Sequence, residues 1–204
     1  MTKRLPQGKR AGSGAGKTKL AADRIRETAR DLFYRQGIRA VGVDEIVARA
    51  GVTKPSLYRS FASKDDLATA CLRDRSEDYL RRFDAALAEQ RNDPYAGFRS
   101  WLENLSQRAT QQDYRGCALT NAAVEYPERK HPARLVAAAN KREFRGKLEK
   151  VAAAMGAREP AVLADALLLL IEGAYASGQL FGPDGPARSL VDAADALIEA
   201  YGGR

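Results

Sequence analysis

The chain has 204 residues, of which 45% are hydrophobic and 29% charged, enough apolar material for one large domain or a small domain beside a medium one. Two widely separated cysteines, Cys71 and Cys117, and a single histidine support neither a disulfide framework nor a Cys/His zinc site, so no metal and no cofactor is expected. The formal charge is +8, and Lys3, Arg4, Lys9, Arg10, Lys17 and Lys19 fall within residues 1–20 without an acid, leaving 28 basic against 26 acidic residues, or +2, for the remainder.

Residues 1–17 are Gly-rich and basic, cannot bury apolar surface, and read as a disordered arm suited to a polyanion, or as a mere solubilising tail. Within this stretch, Ala11 to Thr18 satisfies a relaxed phosphate-loop pattern ending in Lys17 and Thr18. Such a loop needs a buried strand ahead of it, and Met1 to Arg10 is polar and basic, so the pattern predicts no enzyme. The N-terminus also lacks the apolar stretch of a signal peptide. The longest purely apolar run, Ala166 to Ile171, is far short of the roughly 20 residues of a membrane span, which predicts a cytoplasmic protein with no membrane partner.

From Thr18 the pattern is helical. Ile25, Ala29, Leu32 and Phe33 share one face of a first helix that Gly37 stops. A second helix, Val43 to Ala50, places Ile46, Val47 and Ala50 on one side and ends at Gly51, while Thr53 caps a third with Pro55 in its first turn and Leu57, Tyr58 and Phe61 after it. Ser63-x-x-Asp66 then caps a longer fourth helix running into the 80s. Two short helices joined by the turn Ala50-Gly51-Val52-Thr53 make a helix-turn-helix over residues 42–61, inside a small domain over 18–67. Its outer face is polar and basic. Lys54 suits a guanine edge, Ser56 either base type, and Pro55 a thymine methyl, whereas Tyr58, Arg59 and Lys64 suit phosphates.

Gly37-Ile38, Val43-Asp44-Glu45-Ile46-Val47-Ala48, the run Ala50 to Tyr58, Phe61 and Ser63 to Leu67 together resemble the DNA-binding head of the tetracycline-repressor (TetR) family of transcription regulators. The resemblance covers about residues 20–67 and implies DNA contacts from Thr53, Lys54, Pro55, Ser56, Tyr58 and Lys64, with Tyr58 and Lys64 on phosphates. Two positions depart from the family's pattern. Gly42 stands where a capping Ser or Thr is usual, and Ser60 where a His or Tyr is usual.

Residues 68–204 read as a helical body punctuated by Asp93-Pro94, Gly116, Pro127, His131-Pro132, Gly156, Glu159-Pro160 and the loop Gly182 to Pro186, which completes an all-α fold of about nine helices without a strand. The eighth helix is apolar nearly all round and must be buried on more than one side. Packing into the body on one side and against a second copy on the other, through Leu163, Leu167, Leu170 and Ile171 with Leu190, Ala194, Leu197 and Ile198 of the ninth, would make a four-helix homodimer interface, as the resemblance implies; a monomer's central helix is the alternative. An effector pocket is expected among helices five to eight, lined by Phe98, Trp101, Cys117, Asn121, Phe144, Glu172, Tyr175 and Gln179. The expected partners are therefore a double-stranded operator, a second copy of the chain and a small-molecule effector, and the expected function is repression relieved by that effector. A helical adaptor that no longer binds DNA specifically is the competing reading.

Overall fold

Residues 13–203 are described by the computed structural model, with the backbone alone for 13–19. Among the described residues there are nine α-helices and no strand: α1 Ser13–Gln36, α2 Val43–Ala50, α3 Lys54–Ser60, α4 Lys64–Glu89, α5 Pro94–Ala109, α6 Ala118–Glu125, α7 Pro132–Ala154, α8 Pro160–Phe181 and α9 Leu190–Ala200. The punctuation read from the sequence sets these ends. Pro94, Pro132 and Pro160 each open a helix, because their missing N–H falls among donors that have no partner in a first turn. Gly51 ends α2 at φ 62°, where its N–H and that of Val52 return to Ala48 and Val47.

α1 begins at Ser13, five residues before the expected start at Thr18. Alanine and lysine favour the helix, and extension from an already packed helix adds a hydrogen bond per residue without a new nucleation cost, which outweighs two glycines. Residues 13–17 of the expected disordered arm are therefore helical, as is most of the phosphate-loop pattern; the arm's first twelve residues lie outside those described.

The chain divides into two compact units between Ala70 and Cys71, three residues beyond the boundary expected from the sequence and inside α4. The first unit is built on α1, α2 and α3, with Ile25, Ala29, Leu32, Ile46, Leu57 and Leu67 at most 1% exposed. The second holds two neighbouring groups of packed side chains. Around α8, Leu102, Leu105, Leu119, Leu163, Leu167, Ile171 and Ala194 are buried. Beside them Tyr79, Phe83, Phe98, Trp101 and Phe144 form an aromatic cluster with ring centroids 4.9 to 6.3 Å apart.

By length and composition α8 could cross a membrane, with mean hydropathy 1.5 over its most apolar stretch, a property that counting uninterrupted apolar residues missed. In this fold it is the helix on which α5, α7 and α9 pack. Its register sorts the residues expected at the interface by their burial in the chain itself. Leu163, Leu167 and Ile171 are 0% exposed, and Leu190, Ala194 and Ile198 of α9 at most 2%, so all six belong to the chain's own core. The apolar side left open carries Val162, Leu169, Leu180 and Phe181, with Leu170 and Leu197 partly exposed beside it. A helix apolar on every side gives no sequence cue to which side faces inward.

Candidate functional site

Local signals set the outward face of α3. Thr53 adopts an extended conformation at the N-cap and accepts a 3.4 Å hydrogen bond from the Ser56 amide, and Pro55 follows in the first turn. Leu57 is 0% exposed and holds the seven-residue helix on the head's core, so its neighbours must turn away. Thr53, Lys54, Pro55, Tyr58 and Arg59 are exposed together, Tyr58 at 50%, while Ser56 is half-buried. Five of the seven expected contact residues thus form one solvent-facing surface.

Two other polar residues of the head are occupied elsewhere. Lys64 is half-buried, and its ammonium donates to the carbonyls of Ile38 at 3.0 Å, Arg39 at 3.4 Å and Val41 at 3.0 Å, in the turn between α1 and α2. The Ser60 hydroxyl donates back to the Ser56 carbonyl at 3.3 Å. One participant escaped sequence reasoning: Asp44 of α2 pairs with Lys54 at 2.7 Å, and this hydrogen bond, followed by the attraction of the carboxylate, raises the lysine's pKa. The signal was an acid in the first turn of one short helix facing a base in the first turn of the next. The N-cap of α2 is Gly42, which offers no side-chain cap, as the departure at that position implied.

The eight residues expected around an effector separate into three groups. Phe98, Trp101 and Phe144 belong to the aromatic cluster and are filled core. Asn121 and Gln179 bond each other at 3.4 Å nearer the surface, with Asn121 also donating to the Arg115 carbonyl. Cys117, Glu172 and Tyr175 converge on a residue the sequence reading missed, Lys141. Its ammonium lies 2.5 Å from the Glu172 carboxylate and 3.4 Å from Cys117 Sγ, with the rings of Tyr175 and Tyr79 at 5.2 and 5.6 Å. Thr120 donates to the other Glu172 oxygen at 2.8 Å, and the Tyr175 and Tyr79 hydroxyls meet at 3.1 Å.

Burial, and after it the neighbouring tyrosine or cysteine, pushes both phenols well above their ordinary pKa. Burial opposes the charge on Lys141, but Cys117 and Glu172 outweigh it and hold the ammonium above its ordinary pKa. The missed cue was spacing, since Lys141 follows Ala137 by four residues and precedes Leu148 by seven on the inward face of α7. A separate cavity of about 290 Å3 opens between α4, α5 and α7, lined by Phe83, Leu87, Pro94, Val151 and the stems of Lys147 and Lys150. None of the eight expected residues lines it.

The chain is similar in sequence and fold to known proteins. Residues 25–71 match the family model described as bacterial regulatory proteins, tetR family. Over 114 residues the chain is 31% identical to the HTH-type transcriptional regulator LmrA of Bacillus subtilis, an overlap covering 55% of this chain and 60% of that protein. It is 50% identical over 44 residues to the HTH-type transcriptional activator FasR of Mycolicibacterium smegmatis, covering 22% and 20%. The matched stretches thus span less than two thirds of these curated relatives. Along nearly its whole length the fold is similar to the crystal structure of SCO4454, a TetR-family transcriptional regulator from Streptomyces coelicolor, with TM-score 0.85 and 29% identity over 90% of this chain and 96% of that one. The matched proteins are regulators, and the phosphate-loop pattern lies mostly in helix, so nothing supports an enzyme.

Proposed function

We propose, from the premise that this chain belongs to the TetR family of bacterial regulatory proteins, that it represses transcription by binding a near-palindromic operator as a homodimer and is released by a small-molecule effector. The observation that carries this reading is the exposed face of α3, where Thr53, Lys54, Pro55, Tyr58 and Arg59 stand clear of a core that Leu57 anchors. A helix of this size enters the major groove, so Lys54 and Pro55 near its start meet base edges while Tyr58 and Arg59 meet the backbone. Ser56 is half-buried and contributes at the edge of that face.

In the free protein Asp44 holds Lys54 by an ion pair. Both partners are well exposed, at 53% and 81%, so water screens the pair and a guanine can compete for the ammonium. Dimerisation rests on the open apolar side of α8, where Leu169 at 73% and Leu180 at 78% exposure offer an unpaired surface. Effector binding rests on the body, where the polar cluster about Lys141 and the cavity beside Phe83 are two places suited to a ligand. An effector that prefers the form whose heads do not fit the operator lowers occupancy by population shift. The operator-binding reading carries with it work in the cytoplasm, where that DNA lies.

Selection of bound duplexes from a random pool tests the reading. Wild type is expected to recover a near-palindrome with half-sites about one helical turn apart or somewhat more. Recovery of unrelated sequences with strong salt sensitivity would mean binding through net charge alone, and would favour the helical adaptor.

A further inference from the structure

Lys64 is the first residue of α4, and its ammonium has three N–H donors that meet three backbone carbonyls, those of Ile38, Arg39 and Val41. These carbonyls belong to the turn that leads from α1 into α2, where no repeating hydrogen-bond ladder fixes the chain. Two residues beyond Val41, α2 begins, and its N-cap is Gly42, whose extended backbone supplies no side-chain oxygen for the first-turn amides. The start of α2 therefore lacks the usual device that fixes where a helix begins. The clamp from Lys64 fixes the turn instead.

We infer that Lys64 is a positioning residue that sets the start and orientation of α2, taking over the work of the missing N-cap, and that it is not a phosphate contact. The inference rests on the DNA-binding reading of the head, because only a groove-bound helix-turn-helix makes the placement of α2 matter for recognition. It also accounts for the tolerance of Gly42. Space is open there: a Cβ at Gly42 meets nothing within 4 Å, and its φ of −85° suits any residue, so a serine fits and would restore the cap.

The full chain and three variants, Lys64→Met, Lys64→Arg and Lys64→Met with Gly42→Ser, are to be compared by amide hydrogen exchange over residues 38–47 and by the salt dependence of duplex binding. Exchange tests the clamp without DNA, so loss of the DNA-binding reading and loss of the clamp are separable. Lys64→Met is expected to speed exchange in that segment at least several-fold and to weaken duplex binding without changing the salt slope. Adding Gly42→Ser is expected to return exchange toward wild type.

Lys64→Arg separates the two roles if the Met variant unfolds the head. A planar guanidinium keeps the charge but cannot point its donors at three carbonyls around one nitrogen, so the clamp predicts faster exchange, whereas a phosphate contact predicts wild-type behaviour. The inference is overturned if exchange over 38–47 is unchanged in Lys64→Met and Lys64→Arg. It is equally overturned if Lys64→Met lowers the salt slope by about 0.9, the value of one lost phosphate contact, with exchange unaltered.

Discussion

The head and the body use polar side chains in opposite directions. In the head, Lys54, Tyr58 and Arg59 point to solvent, and the interior is a small apolar cluster about Ile46 and Leu57. In the body, Lys141, Glu172, Tyr79, Tyr175 and Asn140 turn inward among packed helices, while the open side of α8 is apolar. A surface that meets DNA keeps its donors solvated until contact, and stability comes from the few residues beneath it. The body holds its donors in place by pairing them with one another. The difference teaches where each region is fragile: the head through its small core, the body through any change that leaves one member of its polar cluster alone.

Leu57→Ala challenges that contrast most severely. Leu57 is 0% exposed under a seven-residue helix, and truncation is expected to cost about 2–5 kcal/mol, a large part of a small domain's stability. Denaturation followed by far-UV circular dichroism and by the fluorescence of Trp101 separates the regions, because the chain's single tryptophan lies in the body. Early loss of helix signal with Trp101 unmoved is expected. Coincident loss would mean that the two units do not melt separately.

Next in size is Lys141→Met. Removing one partner of a buried pair costs about 3–5 kcal/mol, and residual exposures of 21% and 27% reduce this to roughly 2–3 kcal/mol. The double variant Lys141→Met with Glu172→Leu is expected to regain most of the loss, since no charge is then stranded. If the single change proves neutral by urea denaturation, the inward cluster is less tightly coupled than its distances imply.

The smallest effect is the pH dependence that the body's buried phenols impose. Tyr79 and Tyr175 hold their protons well above the ordinary tyrosine range, so above about pH 10 the unfolded chain loses protons first and stability falls as pH rises. The raised pKa of Lys141 acts in the same sense: its contribution is complete below the unfolded lysine pKa and is lost as pH climbs through the folded one. The slope is at most about 1.4 kcal/mol per pH unit for each tyrosine. Tyr175→Phe is expected to shallow the alkaline dependence read by Trp101, leaving the head's transition unmoved.

The same contrast explains how far the sequence could be read. In the head, Thr53, Pro55, Gly51 and Ser63 each act within four residues of their own position, so helices, turn and the exposed face of α3 were all legible locally. What escaped there depended on tertiary approach, the Lys64 clamp across 23 to 26 residues and the Asp44 pair across the turn. In the body the helix ends were equally local and equally legible. Its site was not, because Lys141 meets Glu172 across 31 residues and Tyr175 meets Tyr79 across 96, through faces of long helices whose pairing no local signal records. α8 is the extreme case, apolar on the side that packs and on the side that does not.

The central claim is that specificity resides on the outer face of α3. Its most direct test is equilibrium titration of wild type and Lys54→Ala against a selected duplex and a scrambled duplex of equal length at one fixed salt concentration. The account predicts that Lys54→Ala loses about 1–3 kcal/mol on the selected duplex and little on the scrambled one, so that discrimination falls by roughly 5- to 150-fold. Equal losses on both duplexes would contradict it and would make Lys54 one more charge among the chain's many bases.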